Sequence, residues 1–477
     1  MKTYSGNHGL NNPDIRTKLT QHQLGNAVLE LLDHMAQSDY EWLDKSLQSH
    51  FVGPKDEITE VRIKHLKFFF KFNYQEEIKL VNISKFSENA LIVDCRGSFN
   101  ELAFSVEITS STGDPGKLTG IRVTFSKLQG ITRTGPRRSS EEVLKELGQY
   151  LDTLEKRDLF SGGVLLAKDG IPVFTKVAGD ACKRYRIRNE IDTKFNLGSM
   201  NKMFTSVAIM QLFEQGKLDV NDTVSKYLPD FPGADKITIH QLLTHTSGLG
   251  SYWNRKFEES WAKIRTVDDY LELFVRDPLL FPPGERTEYS NAGYIVLGKI
   301  IEVITGMTYY DYVKEFIYKP AGMVNTDAFE LDKEIDNLAI GYTYYNQLDE
   351  FDPAVQRNNF FQHCIKGGPA GGGYSTLEDL LNFASALQEH KLISKENLDM
   401  ATLSRFDLCE SDYGYGFQVG TVNGIAYYGH GGGAPGIGTN LLIFPEAGFT
   451  LVILTNYDPL YSVIAEKKLL NILQELV

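Results

Sequence analysis

Cysteine is scarce in this chain: four among 477 residues, at Cys95, Cys182, Cys364 and Cys409. None belongs to a C-x-x-C pair, and no H-E-x-x-H accompanies the ten histidines. A disulfide framework and a zinc site are therefore not expected, no motif calls for a metal or other cofactor, and buried reduced thiols are the simple reading. No apolar run approaches the length of a membrane span. The segment from Met1 to Leu10 lacks the apolar core of a secretory signal. The chain reads as soluble and cytoplasmic, or as secreted or periplasmic if a signal has been removed. Positive charge is also short, with a formal net charge of −13. Residues 1–138 carry 18 Lys and Arg against 16 Asp and Glu, and the remainder 31 against 46. The larger part thus has no basic surface for nucleic acid.

A chain of 477 residues exceeds what one core usually supports, so two domains are expected. Helical periodicity runs through Leu24, Val28, Leu31, Leu32 and Met35, with a second short helix over Val61–Phe70. Strand patterns follow at Glu77–Ile83, Ala90–Gly97, Leu102–Thr109 and Leu118–Thr124, with a turn at Gly113–Gly116. This predicts a small accessory α+β domain over 1–134, similar in pattern to nuclear-transport-factor-like domains. It suits dimerisation, substrate gating or ligand binding. Residues 135–140 read as a linker. Beyond it come a helix (Glu141–Leu154), a hairpin (Gly162–Ala167 and Ile171–Val177), a long helical middle, two strands (Asn440–Phe444 and Phe449–Thr455) and a closing helix from about Tyr461. That order predicts one antiparallel sheet built from both ends of a domain spanning 141–477.

Ser199 and Lys202 are the chemical centre of this second part. Three residues apart on a helix, they share a face. A serine needs a neighbour to take its proton, and a lysine can do so when burial lowers its pKa. Ser260 and Lys263 repeat the spacing within a polar run that reads as a solvated helix face. The run from Phe281 to Gly293 offers Tyr289, a phenol for proton transfer, and Asn291, an amide for a substrate carbonyl and the lysine. Tyr252-Trp-Asn254 and Tyr344-Tyr-Asn346 are chance repeats of that Y-x-N spacing. From His430 to Gly436 the chain is rich in glycine. A dinucleotide loop is excluded there, because Pro435 breaks the helix that such a loop opens. No serine sits in a G-x-S-x-G elbow, so an α/β-hydrolase is excluded as well. A strand edge whose backbone N–H groups approach a ligand is what remains.

Ser199-x-x-Lys202, Tyr289-x-Asn291 and His430-Gly-Gly432, in that order, resemble the three motifs of class C β-lactamase-like serine hydrolases, which include penicillin-binding proteins, D-stereospecific peptidases and esterases. Leu242–Leu249, Gly298–Gly306, Pro320–Met323 and Gly371–Glu378 match the family's style. The last of these ends in a capping box formed by Ser375 and Glu378. The resemblance covers about 141–477. It implies an α/β (α+β) fold: an antiparallel sheet flanked by helices beside an all-helical subdomain, with the site in the cleft between them. It also implies catalytic roles for Ser199, Lys202 and Tyr289, substrate binding by Asn291, His430 and Gly432, and an oxyanion hole from the backbone N–H groups of Ser199 and Gly433. His430 stands where penicillin-destroying members carry a lysine, so a fixed cation for a substrate carboxylate is missing. Peptidase or esterase chemistry on a small-molecule ester or peptide, D-amino-acid or peptidoglycan-like types included, is the expectation. A β-lactamase, an acyltransferase or a non-catalytic binding protein on this scaffold is the alternative. Residues 250–280 and 330–366 are expected to line the cleft, and copies to associate through the N-terminal domain.

Overall fold

A computed structural model describes residues 13–53, 62–63, 66–67, 69–70, 77–97, 103–125, 138–346, 350–405, 412–422 and 424–477. The chain divides into two compact units, residues 1–136 with 351–355, and residues 137–350 with 356–477. In the first unit three helices (Pro13–Thr20, Gln23–Gln37, Tyr40–His50) precede a four-stranded antiparallel meander, Ile78–Ser87, Ala90–Gly97, Ala103–Ser111 and Asp114–Phe125. The middle helix buries Leu24, Val28, Leu31, Leu32 and Met35, the stripe its periodicity predicts. Alternate strand residues Leu91, Val93 and Cys95, then Phe104, Val106 and Ile108, supply buried apolar surface from the sheet. Of the helix predicted over Val61–Phe70, residues 61, 64, 65 and 68 lie outside the described residues, and the others are helical. The last strand begins at Asp114, earlier than predicted. Thr112 and Gly113, the latter at φ +82°, make the turn, and register shifts around Ser110 absorb the extra residues.

The second unit is built on a six-stranded antiparallel sheet. Its strand order is Gln418–Val422, Ile425–Ala434, Ile437–Phe444, Phe449–Thr455, Gly162–Lys168 and Ile171–Ala178. Phe449–Thr455 pairs along its whole length with Gly162–Lys168, so the two chain ends do close one sheet. Both central strands are buried along their length, the exposed Lys168 excepted, because helices cover both faces. Ser139 and Glu142 form a capping box that starts the helix Ser140–Lys156, and residues 135–137 of the predicted linker lie outside the described residues. The closing helix, Pro459–Leu476, packs on that first helix, with Lys468 reaching Glu146 at 2.6 Å and Arg138 bridging Glu146 and Glu475.

Between the two halves of the sheet lies the helical part. Its central helix, Asn201–Glu214, is buried at every position from Asn201 to Leu212. A helix surrounded on all sides carries no polar face for solvent, so its polar residues must find partners inside. Thr205 donates to the Pro369 carbonyl at 2.7 Å and Ser206 to the Tyr415 carbonyl. One cap differs from expectation. Thr376, not Ser375, caps the helix Leu377–Gln388 by accepting the Asp379 N–H. Ser375 is occupied in a short strand against Phe195–Asn196, and its hydroxyl pairs with Thr326 at 2.7 Å.

Gly298 shows how tightly this part is packed. It lies in the helix Asn291–Thr305, and a Cβ there would fall 2.2 Å from Pro369 Cγ. Alanine is the better helix former by about 1 kcal/mol, yet Gly298→Ala is expected to destabilise by roughly 1–3 kcal/mol because a rigid proline ring must move. Thermal unfolding of the two proteins checks this, and an unchanged or raised midpoint contradicts the contact.

Candidate active site

The strand pair at Phe195–Asn196 delivers the chain to a tight turn. Asn196 Oδ1 accepts the Gly198 N–H at 2.9 Å, and Gly198 sits at φ +52°. Glycine is needed there twice over, for the left-handed backbone and because a Cβ would lie 3.0 Å from the Gly433 nitrogen. One 3₁₀ turn, Gly198–Met200, then places Ser199 at the mouth of the buried helix. Lys202, one turn on, is 0% exposed. Its Nζ lies 3.2 Å from Ser199 Oγ, 2.7 Å from Asn291 Oδ1 and 2.6 Å from the Ala370 carbonyl oxygen. Burial holds its pKa well below the ordinary lysine value. The three contacts suit a neutral amine: two N–H groups donate to Asn291 and Ala370, and the lone pair faces the Ser199 hydroxyl. They suit the ammonium equally, since each oxygen can then accept one N–H. The rings of Tyr289 and Tyr294 add cation–π faces at 4.7 and 5.5 Å. The site therefore accommodates the proton in either position.

Tyr289 precedes the helix N-cap Ser290, whose hydroxyl accepts the Gly293 N–H at 2.9 Å. Desolvation raises the Tyr289 phenol above its ordinary value, and the facing Ser199 hydroxyl offsets this only in part. The resting phenol is therefore neutral. His245 holds this residue from both sides. Its carbonyl accepts the Glu288 N–H at 3.0 Å, and its Nδ1 accepts the Ser290 N–H at 3.1 Å. Its ring packs on the Tyr289 ring at 4.4 Å. An accepting Nδ1 puts the proton on Nε2, which is buried with no hydrogen-bond partner. Burial and the nearby Lys202 and His430 push its pKa well below the ordinary histidine value. His245 does this at φ +60°, a strained conformation for a residue with a Cβ.

Ser199, Tyr289, Asn291 and Gly433 all line one cleft of about 260 Å³. His430 and Gly432, also read from the sequence as substrate contacts, are not among the residues lining that cleft. His430 is buried, its Nδ1–H donating to its neighbour's carbonyl at 2.5 Å and its Nε2 accepting from Tyr413 Oη at 3.0 Å. Burial and the Lys202 charge push its pKa down to about 3. Its ring stands 6.5 Å from that of Tyr289, within the aromatic group that packs around the phenol. Gly432 is pressed against the Leu197 carbonyl, 2.0 Å from where a Cβ would be. The Ser260 repeat is inert in this respect, since its hydroxyl bonds back to the Lys256 carbonyl. Tyr252, from a chance Y-x-N repeat, does reach the cleft with Trp253 and Phe257, and His363 and Cys364 come from the other segment expected there. Among the described residues no three His, Cys, Asp or Glu side chains gather as a metal site, and no helix is long and apolar enough to cross a membrane.

A family model described as beta-lactamase matches residues 144–473. The chain belongs to the beta-lactamase family. It is 32% identical over 326 residues to penicillin-binding protein 4* of Bacillus subtilis (strain 168), covering 66% of this chain and 72% of that protein. Among solved structures, a penicillin-binding protein from Bacillus halodurans is 30% identical with a TM-score of 0.59, over 70% of this chain and all of that one. A D-stereospecific amidohydrolase from Streptomyces sp. is 25% identical with a TM-score of 0.57, over 69% of this chain and 98% of its own. The sheet, the order of the three motifs and these relatives make the chain a class C β-lactamase-like serine hydrolase.

His245 was quoted in the sequence only as part of a family-like stretch, and its clamp on Tyr289 needed the fold to be seen. His245→Val puts a β-branched residue at φ +60° and leaves the Ser290 N–H unpaired, for an expected loss of about 3 kcal/mol. Asparagine tolerates the left-handed region and keeps an acceptor, so His245→Asn should lose about 1 kcal/mol. Equal losses in thermal unfolding would show that neither the strain nor the bond accounts for this position.

Proposed function

We propose that the protein hydrolyses esters or amides through an acyl-enzyme on Ser199. The observation carrying this reading is the 3.2 Å approach of Ser199 Oγ to a fully buried Lys202 amine. Lys202 takes the Ser199 proton as Oγ attacks the substrate carbonyl. The ammonium so formed keeps the oxygens of Asn291 and Ala370 and gains from the Tyr289 and Tyr294 ring faces. Lys202 and the neutral Tyr289 phenol then pass that proton to the leaving group as its bond to the acyl carbon breaks. In deacylation Tyr289 with Lys202 takes a proton from the attacking water and returns it to Ser199 Oγ as the Oγ–acyl bond breaks. The backbone N–H groups of Ser199 and Gly433 hold the oxyanion, each worth roughly 3–4 kcal/mol in the transition state. Asn291 orients the substrate, and His430 supports the phenol from behind instead of touching substrate. Because burial keeps His430 uncharged, it offers no cation in place of the family's lysine, which favours esterase or amidase chemistry over β-lactam hydrolysis. The likeness to a D-stereospecific amidohydrolase makes D-amino-acid amides one class to test. Residues 1–134 serve an accessory role in dimerisation, substrate gating or ligand binding; a dimer mass in light scattering of the full chain favours the first, and a monomer mass removes it.

A fluorophosphonate probe followed by mass spectrometry tests the nucleophile. An adduct on Ser199 that is absent from Ser199→Ala supports the reading, and kcat should fall at least about a thousandfold in that variant. Labelling of another residue, or none, defeats it. Lys202 gives a second test through pH. Its amine is neutral in the folded protein at pH values where the unfolded chain, with the ordinary value of 10.5, still binds a proton. The penalty for burying it is thus greatest at low pH and is relieved as pH rises toward 10.5. Lys202→Met should abolish acylation yet raise the thermal midpoint at pH 7, and that gain should shrink by pH 10. A gain independent of pH would mean that the lysine is not held neutral.

A further inference from the structure

The cleft around Ser199 has two kinds of wall. Gly198, Gly371, Gly372 and Gly433 contribute bare backbone, suited to hydrogen-bonding a scissile carbonyl and its neighbours. Tyr252, Trp253, Phe257 and His363 contribute a continuous aromatic surface that the acyl-transfer steps do not use. Trp253 stacks on Phe257 with ring centroids 5.4 Å apart and 18° between planes, and meets His363 edge to face at 6.3 Å. Tyr252 is braced from behind by Tyr270 at 5.0 Å. Tyr252, Phe257 and His363 are buried, whereas Trp253 is 46% exposed. Three fixed rings and one half-open ring form a rigid surface beside the nucleophile.

This surface is also without charge. His363 donates Nε2–H to the Pro435 carbonyl at 2.9 Å, and burial pushes its pKa down to about 4, so it is neutral at pH 7. No Asp, Glu, Lys or Arg lines the cleft among the described residues. The Lys202 amine is buried and committed to Ser199, Asn291 and Ala370. A substrate carboxylate entering here would lose its water and meet no cation. A substrate ammonium would meet no carboxylate, and the Trp253 face turned to Phe257 is closed to it.

We propose that this aromatic surface is a subsite for an uncharged apolar or aromatic group flanking the scissile carbonyl. The substrates are then neutral alkyl or aryl esters and amides, and not compounds bearing a free α-ammonium or carboxylate. The proposal rests on Ser199 acting as the nucleophile. The same chemistry suits a group on the acyl side or on the leaving-group side, and two substrate series separate them.

The full chain is assayed with p-nitrophenyl acetate, butyrate, hexanoate and phenylacetate, and separately with acetate esters of ethanol, butanol and benzyl alcohol followed by pH-stat. The apolar group should raise kcat/KM about tenfold or more in one series, which identifies the side it occupies. Neutral N-acetyl phenylalanine p-nitroanilides, D and L, should exceed their free-ammonium counterparts by about tenfold, and a butyrate ester should exceed the matching succinate half-ester similarly. Trp253→Ala and Phe257→Ala should flatten the rise, costing the largest substrate about tenfold more than the acetate. Charged substrates equal to or better than their neutral partners overturn the proposal. So does a flat response in both series, or a rise that survives in both variants. Fluorophosphonate labelling of Ser199 is measured alongside. Labelling with the wrong preference, or with no turnover of any neutral ester, overturns the subsite alone. Neither labelling nor turnover overturns the acyl-enzyme reading and the subsite with it.

Discussion

An amine buried beside a hydroxyl is the constraint on which the rest of this structure depends. Lys202 has no exposed surface, so its charge is costly and its proton loosely held. The surroundings make that tolerable without removing the tension. Asn291 and the Ala370 carbonyl take its hydrogens, and Tyr289 and Tyr294 present ring faces to it. Each of those partners is itself fixed. Asn291 opens a capped helix, and Ala370 follows Pro369, whose carbonyl is tied to Thr205 on the same helix as Lys202.

The fold can be understood as the means of burying that helix completely. A six-stranded sheet closed by both ends of the unit supplies one wall, and the helical part between the ends supplies the others. Glycines appear where walls approach too closely for a Cβ, at Gly198 against Gly433 and at Gly432 against Leu197. These close approaches bring two backbone segments together at the nucleophile. Strain is concentrated in the same place: His245 sits in the left-handed region so that its carbonyl and ring can hold Glu288 and Ser290 on either side of Tyr289. Stability is given up at Lys202 and His245 together, as expected where a site must be held ready for chemistry.

Much of this was legible beforehand. Ser199 and Lys202 lie one turn apart, and local spacing suffices to make them neighbours. The apolar stripe of Gln23–Gln37 and the hairpin at Gly162–Ala178 follow from periodicity and turn chemistry in the same way. Other features needed the fold to be seen. His430 is read from its motif as a substrate contact, and the fold adds that both its ring nitrogens have partners inside the protein. Tyr252, whose Y-x-N spacing is a chance repeat, lines the cleft as expected of the segment 250–280. Ser375 looked like a cap, but its hydroxyl was already engaged by Thr326, forty-nine residues away. The Thr326 hydroxyl on Ser375 and the Tyr413 hydroxyl on His430 come from other segments of the chain, beyond the reach of a local pattern.

The sequence by itself determined the chemistry on offer: a serine and a lysine on one helical face, a phenol and an amide two residues apart, and a glycine-rich strand. Those follow from short-range geometry, which the peptide backbone dictates. Only the tertiary structure decided how these groups are used. It made the lysine a buried amine by surrounding its helix, turned His430 inward, set His245 against Tyr289 and placed an uncharged aromatic wall beside Ser199. Burial and desolvation depend on everything packed around a group, so pKa and pocket character emerge from the whole fold and not from any one segment of it.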